Sequence, residues 1–192
     1  MGDPKKSRKK YSKPVHPWQK ERIDYEKKII QEYGLKNKKE IWKTKSSLGH
    51  YTKRVKSIIS KAGDESNEET NVLLTKLRLL GLVKDNAKLD DVLSLSVKEF
   101  LERRLQTLVF RKGLTKSIKQ ARQVITHEHI CINGKKISSP SYIVSSAEEQ
   151  GVSFSPSSGF ASPDHPEMST ENVSEKSKKN IPKKEKEEKA KK

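Results

Sequence analysis

Leu101-Glu102-Arg103-Arg104-Leu105-Gln106-Thr107-Leu108-Val109-Phe110-Arg111 lays two patterns over eleven residues. Leu101, Leu105 and Leu108 recur at the spacing of one helix face, so the run is built to fold. Arg103, Arg104 and Arg111 share it with a single acid, Glu102. Extended to Arg122, the window holds seven Lys or Arg and still only that acid. Basic charge on a foldable scaffold predicts a surface that faces phosphates.

Just upstream, Ser96-Val97-Lys98-Glu99 has the spacing of a capping box, in which hydroxyl and carboxylate each satisfy a free backbone N–H. Val97 joins the leucine stripe, which predicts one helix stopped by Gly113. On that helix Arg103 lies away from the stripe. Arg104 lies at its edge, where it buries its stem and presents its guanidinium. Ser117-Ile118-Lys119-Gln120 is a second capping box. Its helix turns Ile118, Ala121 and Val124 or Ile125 inward, and Lys119, Arg122 and Gln123 outward. His129-Ile130-Cys131-Ile132 alternates like a strand, Asn133-Gly134 is a strong hairpin signal, and Lys135-Lys136-Ile137 returns. Pro140–Val144 and Gly151–Phe154 read as further short extended pieces.

Upstream of this stretch the chain reads as helical. Trp18 to Tyr33 is a charged helix closed by Gly34. Asn37-Lys38-Lys39-Glu40 is a capping box opening a helix with Ile41, Leu48, Val55, Ile58 and Ile59 inward and Gly63 at its end. Lys43, Lys45, Lys53, Arg54 and Lys56 crowd its other faces. Ser66-Asn67-Glu68-Glu69 caps a third helix whose Leu73, Leu74, Leu77 and Leu80 are core, ended by Gly81. Asp90-Asp91 precedes a helical element and reads as solvated rather than catalytic. The expected organisation is α+β: a basic extension over 1–17, a helical domain over 18–95, a smaller domain over 96–160 and a disordered Lys/Glu-rich tail over 161–192.

The charge is segregated along the chain. Of the net +17, residues 1–60 carry +12, 61–95 carry −2, 96–144 carry +7, 145–173 carry −5 and 174–192 carry +5. Two basic blocks flanking a near-neutral middle predict a polyanion contacted in at least two places. Within 96–144 ten bases face three acids, Glu99, Glu102 and Glu128, so most of the cluster needs another partner. In the N-terminal extension Lys5, Lys6, Arg8, Lys9 and Lys10 lie near Tyr11 and Trp18, flat groups able to stack on bases or sugars.

Other functions are disfavoured. One cysteine, Cys131, leaves no internal disulfide and no Cys-rich zinc site. His127, His129 and Cys131 would share a face of a strand, yet no fourth ligand accompanies them, so neither metal nor cofactor is expected. No apolar run approaches the roughly 20 residues that span a bilayer. No signal peptide or myristoylation pattern opens the chain, so a soluble, cytoplasmic protein is expected, with no membrane partner.

The wording LERRLQTLVFRKGL, then KSIKQARQVITHEHI, then NGKKISSPSYIV, resembles the S-four RNA-binding domain and, more specifically, the S-four family of small-subunit ribosomal proteins in its archaeal-like form. HPWQKERI and LDDVLSL extend the resemblance, more weakly, over roughly the first 155 residues. It implies an αL motif of two helices and a small sheet, and a non-enzymatic role. The implied partners are small-subunit ribosomal RNA, bound in its 5′ region, and neighbouring small-subunit proteins. Early binding would help the RNA fold, and the mature protein would sit near the messenger entry side and affect decoding accuracy. The implied contacts are Arg103, Arg104, Arg111, Lys112, Lys116, Lys119, Arg122, Lys135 and Lys136 for phosphates. Gln106, Ser117, Gln120, Gln123, Asn133, His127, His129 and Tyr142 would read bases or 2′-hydroxyls or support the loop. Glu128 departs from the family, where many relatives have Gly between the two histidines.

An RNA-modifying enzyme carrying an S-four domain is the main alternative, but it needs a catalytic domain larger than the remaining chain. A stand-alone factor acting on ribosomal particles would not need the basic helical half. Arg103→Glu with Arg104→Glu is expected to weaken RNA binding strongly while thermal unfolding changes little; an equal loss of both would mean that the pair is structural.

Overall fold

The computed structural model describes residues 2, 8–61 and 64–161, the side chains of 64–67 excepted; expectations for Lys5, Lys6, Gly63, the Ser66 cap side chain and the C-terminal tail lie outside the described residues. The fold is α+β. Helices α1 (Lys20–Glu32), α2 (Lys38–Ser60), α3 (Asp64–Leu79) and α4 (Leu89–Ser94) come first. The backbone of α3 is already helical at Asp64, so Ser66 sits inside it rather than at its cap. Val55 and Ile58 of α2, Leu73, Leu74 and Leu77 of α3, and Val92 of α4 close one core around Phe100. Each fully buried side chain of this size contributes about 1.5–3 kcal/mol.

A second core gathers Ile29, Tyr33, Leu35 and Ile41 around Leu101. It depends on a sharp exit from α1 at Gly34, where φ is +56°. A Cβ at Gly34 would lie 2.6 Å from Ile118 Cγ2 and 3.1 Å from Gln106 Nε2. Gly34→Ala therefore combines a left-handed backbone with a clash. The expected loss is about 1–3 kcal/mol of unfolding free energy, read from the urea midpoint.

The leucine stripe does not form one helix. It splits into α5 (Val97–Glu102) and α6 (Leu105–Arg111), with Arg104 extended at φ −73° and ψ 142°. At the break Arg104 bridges Ile143, Leu105 N–H donates to Tyr142 O (2.8 Å), and Val144 N–H donates to Arg103 O (3.0 Å). The Thr107 hydroxyl donates to Leu101 O at 2.8 Å, a carbonyl that Arg104 N–H also reaches at 3.3 Å. Of the segment Pro140–Val144, expected to be extended, Pro140 and Ser141 form a turn, and Tyr142–Val144 supply the pairing at the break. Ser96 precedes α5 without capping its backbone; its hydroxyl instead donates to Glu99 Oε1 at 3.1 Å.

Helix α7 (Ile118–Thr126) begins as its sequence predicts, with Ser117 Oγ accepting from Gln120 N–H at 3.1 Å. Strands β1 (Ile130–Ile132), β2 (Lys135–Lys136) and β3 (Val152–Phe154) form an antiparallel sheet in the order β2-β1-β3. Cys131 pairs with Lys136 and Ile132 with Lys135, so Asn133 and Gly134 are the whole hairpin loop, at φ +48° and +78°. The third core lies between this sheet and α6 and α7, with Leu105, Val109, Ile125 and Ile130 at its centre. Helix α8 (Ser146–Glu149) opens on a further capping box, Ser145 with Glu148.

Candidate nucleic-acid interface

Two of the residues expected to read RNA are interior. Arg104 is 4% exposed and Gln106 1%. The guanidinium of Arg104 donates to Glu40 Oε2 at 2.5 Å, and Arg122 donates to Glu40 Oε1 at 3.0 Å. Gln106 Nε2 donates to the carbonyls of Gly34 and Ile118, both at 3.0 Å, while its Oε1 accepts from Arg122 at 3.4 Å. Glu40 thus binds two arginines instead of closing the predicted capping box, and Asn37 makes no side-chain cap. Burial pushes the Glu40 carboxyl up, but the hydrogen bond from Arg122 and the charges of Arg104 and Arg122 outweigh it and hold it below the ordinary range. Burial lowers the pKa of Arg104, against the charge of Glu40.

Arg103 is also engaged, with its side chain 15% exposed. It donates to Glu149 Oε2 at 2.6 Å and to Val144 O at 3.1 Å, tying the α5–α6 break to α8. Both arginines are therefore engaged within the protein, and reversing both charges is expected to lower stability as well.

Counting acids only within 96–144 misses the partners that the fold brings in. Lys98 pairs with Glu32, Arg103 with Glu149, Arg104 and Arg122 with Glu40, and Arg111 with Glu102. Five of the ten bases are ion-paired within the protein, on four carboxylates. Lys112 is exposed, with its ammonium on the Glu149 carbonyl. Lys116 and Lys119, around the start of α7, and Lys135 and Lys136, on the edge strand β2, are exposed and take part in no ion pair among the described residues. Ser117, Gln123, His127 and Asn133 are exposed near them in sequence.

The remaining candidates are partly engaged. Gln120 Oε1 accepts from Lys116 N–H at 2.9 Å. His129 Nδ1 meets Ser158 Oγ at 2.9 Å, with its ring 5.0 Å from that of Phe160. Tyr142 is half-buried and its hydroxyl donates to Glu148 at 3.0 Å, a bond that raises its pKa. His127 ends α7 and β1 begins only at Ile130, so the histidines do not share a strand face with Cys131.

Glu128 adopts φ +61°, the left-handed region where a side chain costs about 1 kcal/mol or more. Its charge also stands between His127 and His129. Glu128→Gly is expected to raise the unfolding free energy by up to about 1 kcal/mol, the relief of strain being partly offset by glycine's backbone entropy. Thermal melts of the two proteins check this.

On the helical side, Lys43, Lys45, Lys53, Arg54 and Lys56 are all exposed along α2. Arg8, Lys9 and Lys10 are exposed, and Trp18 is 89% exposed. A cleft of about 310 Å³ lies between α2 and the α5–α6 break, lined by Lys39, Lys43, Thr44, Ser47, Arg122 and Ser141 among others. It joins the basic face of α2 to the Glu40 cluster.

Two short helices, a hairpin and a small sheet carrying exposed lysines define the class: residues 103–149 match the S4 domain. Three archaeal relatives named small ribosomal subunit protein uS4 match nearly end to end. That of Ignicoccus hospitalis is 51% identical over 160 residues, 83% of this chain and 96% of the relative. That of Methanococcus aeolicus is 49% identical, over 87% of this chain and 95% of the relative. That of Nanoarchaeum equitans is 46% identical, over 88% and 96%. The chain belongs to the small ribosomal subunit protein uS4 family, a structural family rather than an enzymatic one.

Proposed function

We propose that this protein is a structural constituent of the small ribosomal subunit that binds small-subunit ribosomal RNA directly in its 5′ domain. Through that contact it nucleates assembly and, near the messenger entry side and beside neighbouring small-subunit proteins, contributes to translational accuracy. The observation that carries the reading is the set of exposed lysines left over once the internal acids are matched: Lys116, Lys119, Lys135 and Lys136. Lys112, Ser117, Gln123, His127 and Asn133 complete the contact surface, and Lys43, Lys45, Lys53, Arg54 and Lys56 on α2 supply a second one. Arg103, Arg104 and Gln106 serve it indirectly, by holding the S4 part to the helices. The division into helices over 18–95 and an RNA-binding part over 96–160 belongs to the same proposal, with Phe100 and Leu101 fastening one to the other. In this reading the protein is ribosome-bound and cytoplasmic; among the described residues no helix is long and apolar enough to cross a membrane.

The mechanism is electrostatic and geometric. Lysines release counterions from the RNA, while the rigid hairpin and the start of α7 hold donors in fixed positions against a junction of helices. The test is binding to 5′-domain RNA against excess transfer RNA at about 50 and 200 mM salt. Tight binding that survives salt and competitor is expected; equal collapse on both RNAs overturns the assignment.

A further inference from the structure

A cleft of about 550 Å³ lies between α1, α2 and the segment Tyr11–Pro14, outside residues 103–149. That volume suits a nucleotide. Tyr11 and Trp42 form part of its wall, with ring centroids 6.1 Å apart and planes tilted by 37°. Lys13, Lys45 and Lys53 line it as well, and all three are exposed.

Its floor contains a carboxylate that the fold leaves half-satisfied. Glu26 is 4% exposed. Its Oε1 accepts from Arg22 Nη1 at 2.8 Å and from Trp42 Nε1 at 2.9 Å. Its Oε2 is buried without a hydrogen bond, with Lys38 Nζ 3.8 Å away. Arg22 Nε is likewise buried without an acceptor. A buried donor without an acceptor, and an acceptor held only by an ion pair, both gain when a ligand supplies the missing hydrogen bonds.

We propose that this cleft takes an unstacked nucleobase, guanine in preference to others, from a single-stranded part of the RNA. The inference rests on the RNA-binding reading and names a second, base-reading site for it. Guanine presents two adjacent N–H donors and a carbonyl oxygen on one edge, matching Glu26 Oε2 and Arg22 Nε. Tyr11 and Trp42 supply the stacking surface, and the lysines supply charge for the attached phosphate. The same lysines repel a cationic side chain, which disfavours a protein ligand for this aromatic box. Both atoms are screened from solvent, so binding requires a local rearrangement of the cleft. The Tyr11–Pro14 segment is held to α2 by Ser12 N–H, which donates to Ser46 Oγ at 3.0 Å, with the two hydroxyls 3.3 Å apart.

The experiment uses the full chain carrying Trp18→Phe, so that Trp42 alone reports by fluorescence. Guanosine 5′-monophosphate and adenosine 5′-monophosphate are titrated in parallel. Saturable quenching is expected, at least about fivefold tighter for the guanosine form, and weakened about tenfold by Tyr11→Ala, which removes one stacking face. Glu26→Gln, checked for folding by a thermal melt, is expected to lose the guanosine preference. Equal quenching by both nucleotides, or none, overturns the proposal, as does tighter binding of a dimethyl-lysine peptide. Failure here with intact binding to 5′-domain RNA removes only the pocket; failure of that RNA binding removes the reading beneath it.

Discussion

Glu40→Ala lowers the unfolding free energy by about 3–5 kcal/mol, the largest loss expected from any single side chain at the interface. The substitution strips the carboxylate from between two arginines, and Arg104, its side chain 5% exposed, is left buried without a counter-charge. Water cannot compensate a guanidinium there as it would at the surface, so the cost far exceeds that of an exposed ion pair. The pH dependence has a definite sign. The folded-state pKa of Glu40 is depressed, so its contribution is fully present above the unfolded carboxyl pKa of about 4.3 and is lost as pH falls through the folded value. Urea unfolding of the wild-type and Glu40→Gln proteins therefore differs at neutral pH and converges in acid. A loss below about 1 kcal/mol at pH 7 would mean a solvated pair. By the same logic, Arg103→Glu with Arg104→Glu loses stability and RNA binding together.

The opposite behaviour is expected of the lysines. Replacing Lys116, Lys119, Lys135 and Lys136 together by Ala weakens 5′-domain RNA binding by about two to three orders of magnitude near physiological salt. It also reduces the slope of log affinity against log salt by about 3, since each phosphate contact contributes about 0.7–0.9. The thermal midpoint hardly moves, because exposed, unpaired side chains contribute little to the folded state. Titrations at several salt concentrations, with a melt on each protein, separate this result from the Glu40 one. An unchanged slope would place the phosphate contacts elsewhere, on α2 or the N-terminal extension.

What the sequence shows well is what short-range chemistry decides. The hairpin follows from Asn133-Gly134, the start of α7 from Ser117 three residues before Gln120, and the end of α1 from Gly34, because each needs only its neighbours in the chain. The break at Arg103–Arg104 is different. It depends on strand-like pairing with Tyr142–Val144 and on Glu40, which lies 64 residues upstream of Arg104. A helical stripe gives no sign of either. Gln106 looks like a neutral reader of bases until Gly34 and Ile118 are seen to turn their carbonyls onto it. The charge excess of the segment was legible, but which of its bases are free was not, since Glu32, Glu40 and Glu149 arrive from outside it.

Lysine acetylation footprinting of the protein alone and in complex with 5′-domain RNA, read by mass spectrometry, tests the division between scaffold and contact surface most directly. Lys116, Lys119, Lys135 and Lys136 are expected to be reactive in the free protein and protected in the complex. Lys84 and Lys88, exposed in the net-acidic part of the chain, are expected to react equally in both. Continued reactivity of the four lysines in the complex, with protection of Lys84 and Lys88, would contradict the assigned interface.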